Sequence, residues 1–201
     1  MKLFFSPTSP FVRKCMACAV ELGLDNRIER LGGKAHPINR DASIVAANPL
    51  GQVPTLVTDE GQALYDSRVI CEYLDAIGGG SLFPKDGTRW HALALQSLAD
   101  GVLDAALLAR YEELVRPEAL RSADWRLGQL DKVATSLAAL EAGTPALDMG
   151  VHIGTLSTGC ALWYLDLRYP ELAWRNRYPH VAAWWAAFGQ RPSMKAEYTL
   201  E

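Results

Sequence analysis

The sequence predicts two domains of different class. The first is an α/β domain of order β-α-β-α-β-β-α over residues 1–77, and the second is all-helical over residues 88–201, with a linker at 78–87. Three observations carry this reading. Short strand-like runs alternate with helical ones as far as Ile77, and between Gly78 and Gly87 the composition turns to Gly, Ser and Pro. Beyond Gly87 almost every apolar run has helical spacing. With 201 residues, 49% of them hydrophobic and 21% charged, the chain can bury a proper core.

Lys2-Leu3-Phe4-Phe5 reads as a first strand stopped by Ser6 and Pro7. Ser9 then caps a helix with Pro10 in its first turn; Val12, Met16, Ala19 and Val20 form its buried face and Gly23 ends it. A second strand fits Arg27-Ile28-Glu29-Arg30-Leu31, and the polar stretch from Gly32 to Asp41 reads as a loop before a short helix, Ala42 to Ala47, that ends at Asn48-Pro49. Val53-Pro54-Thr55-Leu56-Val57 and Ala63-Leu64-Tyr65 flank Asp59-Glu60-Gly61, the chemistry of a tight turn between antiparallel strands. Asp66-Ser67 opens a helix whose apolar positions Val69, Ile70, Tyr73, Leu74 and Ile77 recur at helical spacing until Gly78-Gly79-Gly80. In the second domain helices are expected from Thr88 to Val115, Ser122 to Leu140, Gly154 to Tyr169 and His180 to Gly189. The run Cys160-Ala161-Leu162-Trp163-Tyr164-Leu165 has no polar side, which makes the third of these the buried centre. Trp163, Trp174, Trp184 and Trp185 read as packing residues.

A net charge of −3 and the absence of any Lys/Arg run argue against nucleic acid as a partner. Met1 to Phe5 is too short for a signal sequence, and no apolar run looks long enough to span a bilayer, so a cytoplasmic protein without a membrane partner is expected. In that compartment Cys15, Cys18, Cys71 and Cys160 should stay thiols, and no metal site is expected.

A strand, a turn and a helix N-terminus are where thioredoxin-like folds hold a reactive sulfur, because free amides and the helix dipole favour an anion there. Ser9-Pro10-Phe11-Val12 stands where a glutaredoxin has Cys-Pro-Tyr-Cys. Cys15 and Cys18 lie about 1.5 to 2.5 turns further in, where the dipole has faded, and read as helix-packing thiols. Ser9 cannot form a disulfide, but its hydroxyl can donate a hydrogen bond to a thiolate that arrives with a substrate; the alternative is a plain helix cap. Pro54, entering an edge strand, is a candidate for a cis bond that turns the Val53 backbone outward to pair with an extended peptide. Asp66 and Ser67 at a helix start offer a charge to an ammonium and a hydroxyl and amide to a carboxylate, or again only a cap.

The runs SPTSPFVRK, NPLGQVPTLV and LYDSRVICEYL, in this order and spacing, resemble the N-terminal domain of glutathione S-transferases, and GCALWYLDLRYP resembles their helical domain. The match looks closest to bacterial members with a serine at the active site. The resemblance implies a thioredoxin-like domain at 1–77 that binds glutathione as co-substrate, with no tightly bound cofactor, in a cytoplasmic homodimer of the detoxifying kind. It implies that Ser9 stabilises the glutathione thiolate, that Val53 before a cis Pro54 pairs with the cysteinyl backbone, and that Asp66 and Ser67 bind the γ-glutamyl end. Phe11 and Gln52 join the same set. A cation for the glycyl carboxylate is left open among Lys34, His36, Asn39 and Arg40.

Leu103, Leu107 and Tyr111 are candidates for an apolar wall against a small hydrophobic electrophile, or else bundle core. Asp100 and Asp104 read as a solvated face, with a supporting role behind the site as the alternative; the resemblance implies that Arg68 serves the homodimer interface. Relatives commonly start the buried helix with a Ser/Thr-x-x-Asp capping box; His152-Ile153-Gly154-Thr155 lacks the carboxylate, so its cap must differ. Besides a transferase, the readings carried forward are a binding protein of the same fold, a glutathione-dependent peroxidase or reductase, and a thiol redox enzyme using Cys15 and Cys18.

Overall fold

The computed structural model describes residues 1–199. The chain forms two compact units, Met1–Arg89 together with the segment from Arg191 onward, and Trp90–Gln190.

The first unit is built on a four-stranded sheet of order β2-β1-β3-β4, from β1 (Lys2–Phe4), β2 (Glu29–Leu31), β3 (Thr55–Val57) and β4 (Ala63–Leu64). β1 runs parallel to β2 and antiparallel to β3, and β3 and β4 form the expected hairpin, closed by the Thr58 amide on the Gln62 carbonyl. β2 is shorter than the sequence suggests: Asp25–Arg27 is a 3₁₀ turn, because the Leu24 carbonyl takes the Arg27 amide before the chain can extend. Helices α1 (Pro10–Glu21), α2 (Ala42–Ala47) and α3 (Ser67–Ile77) follow the predicted order, and the sheet and helices bury Leu3, Phe5, Leu56, Ile44, Ile70 and Leu74. This is the thioredoxin-like arrangement the sequence predicts.

α1 starts at its Ser9 cap with Pro10 at the first helical position, and Gly23 at φ 67° ends it in a left-handed residue. It is buried almost all round: every residue from Val12 to Ala19 is covered, Arg13 and Lys14 included, where the sequence suggested one buried face. One cause is the chain after Arg191, which was expected to belong to the helical domain and instead packs in the first unit. There α9 (Pro192–Lys195) lies on α1, and Arg191 and the Ser193 hydroxyl converge on Glu21.

The second unit is helical, with α4 (Arg89–Leu114, whose first residue belongs to the first unit), α5 (Ala123–Ala142), α6 (Ile153–Arg168), α7 (Trp174–Arg177) and α8 (Pro179–Phe188), and 3₁₀ turns at Glu118–Leu120, Thr144–Asp148 and Pro170–Leu172. α6 is the central helix, buried from Ile153 through Leu162. Its first turn presses on α4 so closely that a Cβ on Gly154 would stand 2.6 Å from the Ala92 carbonyl oxygen, and beyond its far end the Tyr169 hydroxyl donates to the Ala106 carbonyl at 2.6 Å. The two helices therefore run side by side in one direction. Trp174 and Trp185 donate to the Asp166 carboxylate and Trp184 to the Leu147 carbonyl, which fits their packing role. By length and composition α4 is apolar enough to cross a membrane, with mean hydropathy 1.4 over 18 residues, which corrects the reading of the sequence; 56% of that window is buried in the fold.

The cap of α6 departs from the family pattern in a defined way. His152 Nδ1 accepts the Gly154 amide at 3.1 Å while the Thr155 hydroxyl oxygen accepts the His152 amide at 3.0 Å, so an imidazole and a hydroxyl do the reciprocal work of hydroxyl and carboxylate. The cap requires an unprotonated Nδ1. Burial, then the nearby His91, holds the His152 pKa below its ordinary value. With the folded value depressed, the contribution is complete above about pH 6.5 and is lost as pH falls through the folded value, since the unfolded chain takes up the proton first. His152→Asn keeps a capping acceptor that does not titrate. Thermal unfolding between pH 7.5 and 5 should show the wild type losing about 2–4 °C more than the variant, equivalent to about 1 kcal/mol for one cap; parallel curves would contradict this assignment.

Candidate functional site

Strand register assembles the site. Phe4 pairs with Thr55, and Leu56 with Leu64, so the chain leaving β1 toward Ser9, the Val53-Pro54 pair ahead of β3 and Asp66-Ser67 after β4 all reach one end of the sheet. The three sequence motifs are thus brought together in the first unit.

Ser9 is half-buried, and its Oγ accepts the Val12 amide at 3.3 Å. Among the described residues nothing accepts its hydroxyl proton. The Val53–Pro54 bond is cis, as is Tyr65–Asp66. The Val53 amide and carbonyl have no hydrogen-bond partner among the described residues, which leaves a donor and an acceptor for an added extended chain. Asp66 caps α3 by accepting the Arg68 amide on Oδ1 at 2.9 Å, and Oδ2 is unpaired among the described residues. Ser67, the first residue of α3, is buried, with its carbonyl 3.9 Å from Cys15 Sγ and its hydroxyl likewise unpaired. Phe11 is half-buried with the Lys14 ammonium 5.7 Å from its ring centre, and Gln52 is exposed.

Sequence reasoning missed the residue that shapes this edge. Asn48 served there only to mark a helix end, yet it is buried and spans the loop: its side-chain nitrogen donates to the Thr55 hydroxyl at 2.9 Å and the Gln52 carbonyl at 3.3 Å, and its oxygen accepts the Leu50 amide at 3.0 Å. The Asn-Pro pair was the available signal. Gly51, at φ 64°, lies against the Arg40 guanidinium, where a Cβ would come within 3.0 Å of Nε, and Arg40 also donates to the Pro49 carbonyl. His36 Nδ1 instead accepts the amides of Ile38 and Asn39 and closes its own turn.

All four cysteines are buried thiols, and the sulfur of Cys15 lies 4.0 Å from that of Cys71 on α3, an arrangement of packing residues. In the second unit Leu103 is fully buried, while Leu107 and Tyr111 are half-buried on the same stripe of α4. Asp100 is buried, which corrects its assignment to a solvated face: it follows the buried Gln96 by four residues on the inner side of α4, whereas Asp104 is exposed. Arg68 is exposed. Among the described residues no group of three or more His, Cys, Asp or Glu could hold a metal ion.

Residues 8–77 match the family described as the glutathione S-transferase N-terminal domain. Over 188 residues, 90% of each chain, the sequence is 37% identical to the uncharacterized GST-like protein YibF of Escherichia coli (strain K12). The chain belongs to the glutathione S-transferase family. A glutathione transferase family member from Pseudomonas fluorescens Pf-5, solved with bound glutathione, is 45% identical with a TM-score of 0.95, covering 98% of this chain and 97% of that one. A second structure from that organism, with bound S-(propanoic acid)-glutathione, is 44% identical with a TM-score of 0.90, covering 98% of each. The glutathione transferase fold accounts for both units.

Removing the Asn48 side chain would leave the Leu50 amide without a partner inside the loop and the Thr55 hydroxyl with only its bond to the Gln52 carbonyl at 2.8 Å. Asn48→Ala is expected to cost about 2 kcal/mol and to lower the thermal midpoint by about 4–8 °C; an unchanged midpoint would show that the loop holds without it.

Proposed function

We propose that this protein is a glutathione transferase of the serine type, in which Ser9 donates its hydroxyl hydrogen to the glutathione sulfur and holds it as a thiolate. The observation that carries the proposal is that hydroxyl at the N-terminus of α1, with one acceptor bond made and its proton unspent. A thiol with a pKa of about 8.5 is only a few per cent ionised at neutral pH, and a lowering of about two units, about 2.7 kcal/mol, makes most of it nucleophilic. One hydrogen bond to a charged sulfur supplies about 1.5–3 kcal/mol and the helix dipole up to about 1 kcal/mol, which together suffice.

In this reading Val53 pairs with the cysteinyl backbone, Asp66 takes the γ-glutamyl ammonium, and the Ser67 hydroxyl and amide take its carboxylate. Phe11 and Gln52 flank the bound tripeptide. Arg40, held on the Pro49–Gly51 turn beside Gln52, is the proposed cation for the glycyl carboxylate. The thiolate attacks an electrophilic carbon; the sulfur–carbon bond forms as a leaving group departs, or as an activated double bond takes up a proton. Leu103, Leu107 and Tyr111 are proposed as the apolar wall against the electrophile. The glutathione and S-(propanoic acid)-glutathione in the Pseudomonas structures support both the co-substrate and room for a substituent on sulfur. Within the same proposal the enzyme is a cytoplasmic homodimer, with Arg68 at the interface.

The test is an ultraviolet pH titration of the thiolate of bound glutathione. The wild type should titrate about two units below free thiol, and Ser9→Ala should return toward about 8.5 with binding retained. Glutathione bound with no shift in the wild type would move the protein to a binding role.

A further inference from the structure

The segment from Arg191 to Thr199 forms a strap along the first unit, and its contacts fall into two sets. At the far end of α1, Arg191 Nε and Nη2 donate to the Glu21 carboxylate at 2.9 and 2.8 Å, and the Ser193 hydroxyl adds a third bond at 2.5 Å. At the near end, Arg13, one turn after Ser9 and 6% exposed, donates to the carbonyls of Met194 and Ala196, and its guanidinium lies 5.3 Å from the Tyr198 ring centre. Arg30 of β2 lies 6.0 Å from the same ring and 5.8 Å from that of Phe5, and donates to the Thr199 carbonyl at 2.9 Å. The Tyr198 hydroxyl donates back to the Ser193 carbonyl and closes the strap on itself.

These near contacts bracket the loop that carries Ser9. Phe5 is the last residue before it and is tied to β2 through the Leu31 carbonyl; Arg13 follows it, with its amide on the Ser9 carbonyl at 3.0 Å. The Tyr198 ring is approached by one guanidinium from the helix and one from the sheet edge, at 5.3 and 6.0 Å. We infer that this strap positions the Ser9 hydroxyl, with Arg13 and Tyr198 as positioning residues that set where α1 begins relative to the sheet. The inference rests on the role proposed above for Ser9. A hydrogen bond to sulfur tolerates little displacement, since a misplacement of about 1 Å can cost about a hundredfold in rate.

The experiment compares wild type, Arg13→Gln, Arg13→Lys, Tyr198→Leu and Glu21→Gln, each saturated with glutathione, by thiolate titration and by thermal unfolding. Arg13→Gln and Tyr198→Leu are expected to raise the bound thiol pKa by about 0.5 or more, which leaves about threefold less thiolate at pH 6. Arg13→Lys, which keeps a cation for the carbonyls and the ring, should recover part of the shift. Glu21→Gln cuts the strap at the distant end and is expected to lower the thermal midpoint with no change in the thiol. Tyr198→Leu leaves every charge in place and carries the test if Arg13→Gln does not fold. A wild-type pKa in both near-end variants, or an equal rise in Glu21→Gln, would reduce the strap to a general stabiliser and overturn the inference while the transferase reading stands. A wild-type thiol at its free value would overturn both.

Discussion

The antiparallel pairing of β1 with β3 is the constraint on which the rest depends. With Phe4 opposite Thr55, the turn into α1 and the Val53-Pro54 pair must emerge at the same end of the sheet. The hairpin then delivers Asp66 and Ser67 to that end as well, through Leu56 opposite Leu64. A slip of one residue in this register would turn Leu3 and Leu56, both wholly buried, out of the core, so core packing and the alignment of the site are enforced by the same pairing. The candidate residues lie at or just beyond the ends of regular elements, where backbone groups are unspent, while the sheet that aligns them is rigid.

The burial of α1 extends this logic. A helix covered almost all round cannot shift along its axis without disturbing its neighbours, and its N-terminus inherits that fixity. Arg13 lies within this covered stretch because its guanidinium reaches backbone carbonyls and an aromatic ring, which lowers the cost of withdrawing the charge from water. At the other end Glu21, held below the usual carboxylate range chiefly by its bond to Arg191, anchors the same helix. The polar contacts at both ends come from a segment more than 150 residues away in the chain.

That distance explains what the sequence could and could not convey. Ser9, Pro10 and Gly23 are local signals, and the helix they delimit was legible to within a residue or two, as were α2, α3 and the Asp59–Gly61 turn. The pairing of Val53 with a proline and the order of the three motifs were legible for the same reason, and they led to the family. The sequence assigns no role to Arg13 or Arg30, because nothing near them in the chain announces Tyr198. Asn48 read as punctuation, because its partners Gln52 and Thr55 become neighbours only once the loop has closed. Asp100 read as exposed, because periodicity is uninformative on a helix as uniformly apolar as α4. The missing carboxylate of the α6 cap was visible in sequence; its replacement by His152 and Thr155 required the fold.

The helix caps also separate structure from chemistry by what they leave unspent. Asp41 spends both carboxylate oxygens, on the Ser43 amide and hydroxyl and on the Lys34 amide, and its pKa is held at about 2. His152 and Thr155 spend their capping atoms in the first turn of α6, on the Gly154 and His152 amides. Ser122 keeps its hydroxyl proton, but its exposed helix start is met only by the Glu112 carboxylate, which accepts the Ser122 amide and leaves no second unspent cap beside it. Ser9, Asp66 and Ser67 cap or open their helices as competently as these, and each retains a donor or an acceptor at the one sheet end where the Val53 backbone is also open. A cap whose remaining bonding capacity meets that of three neighbours is more than a cap, and that convergence, rather than the identity of any single residue, distinguishes this edge of the sheet from every other helix start described in the protein.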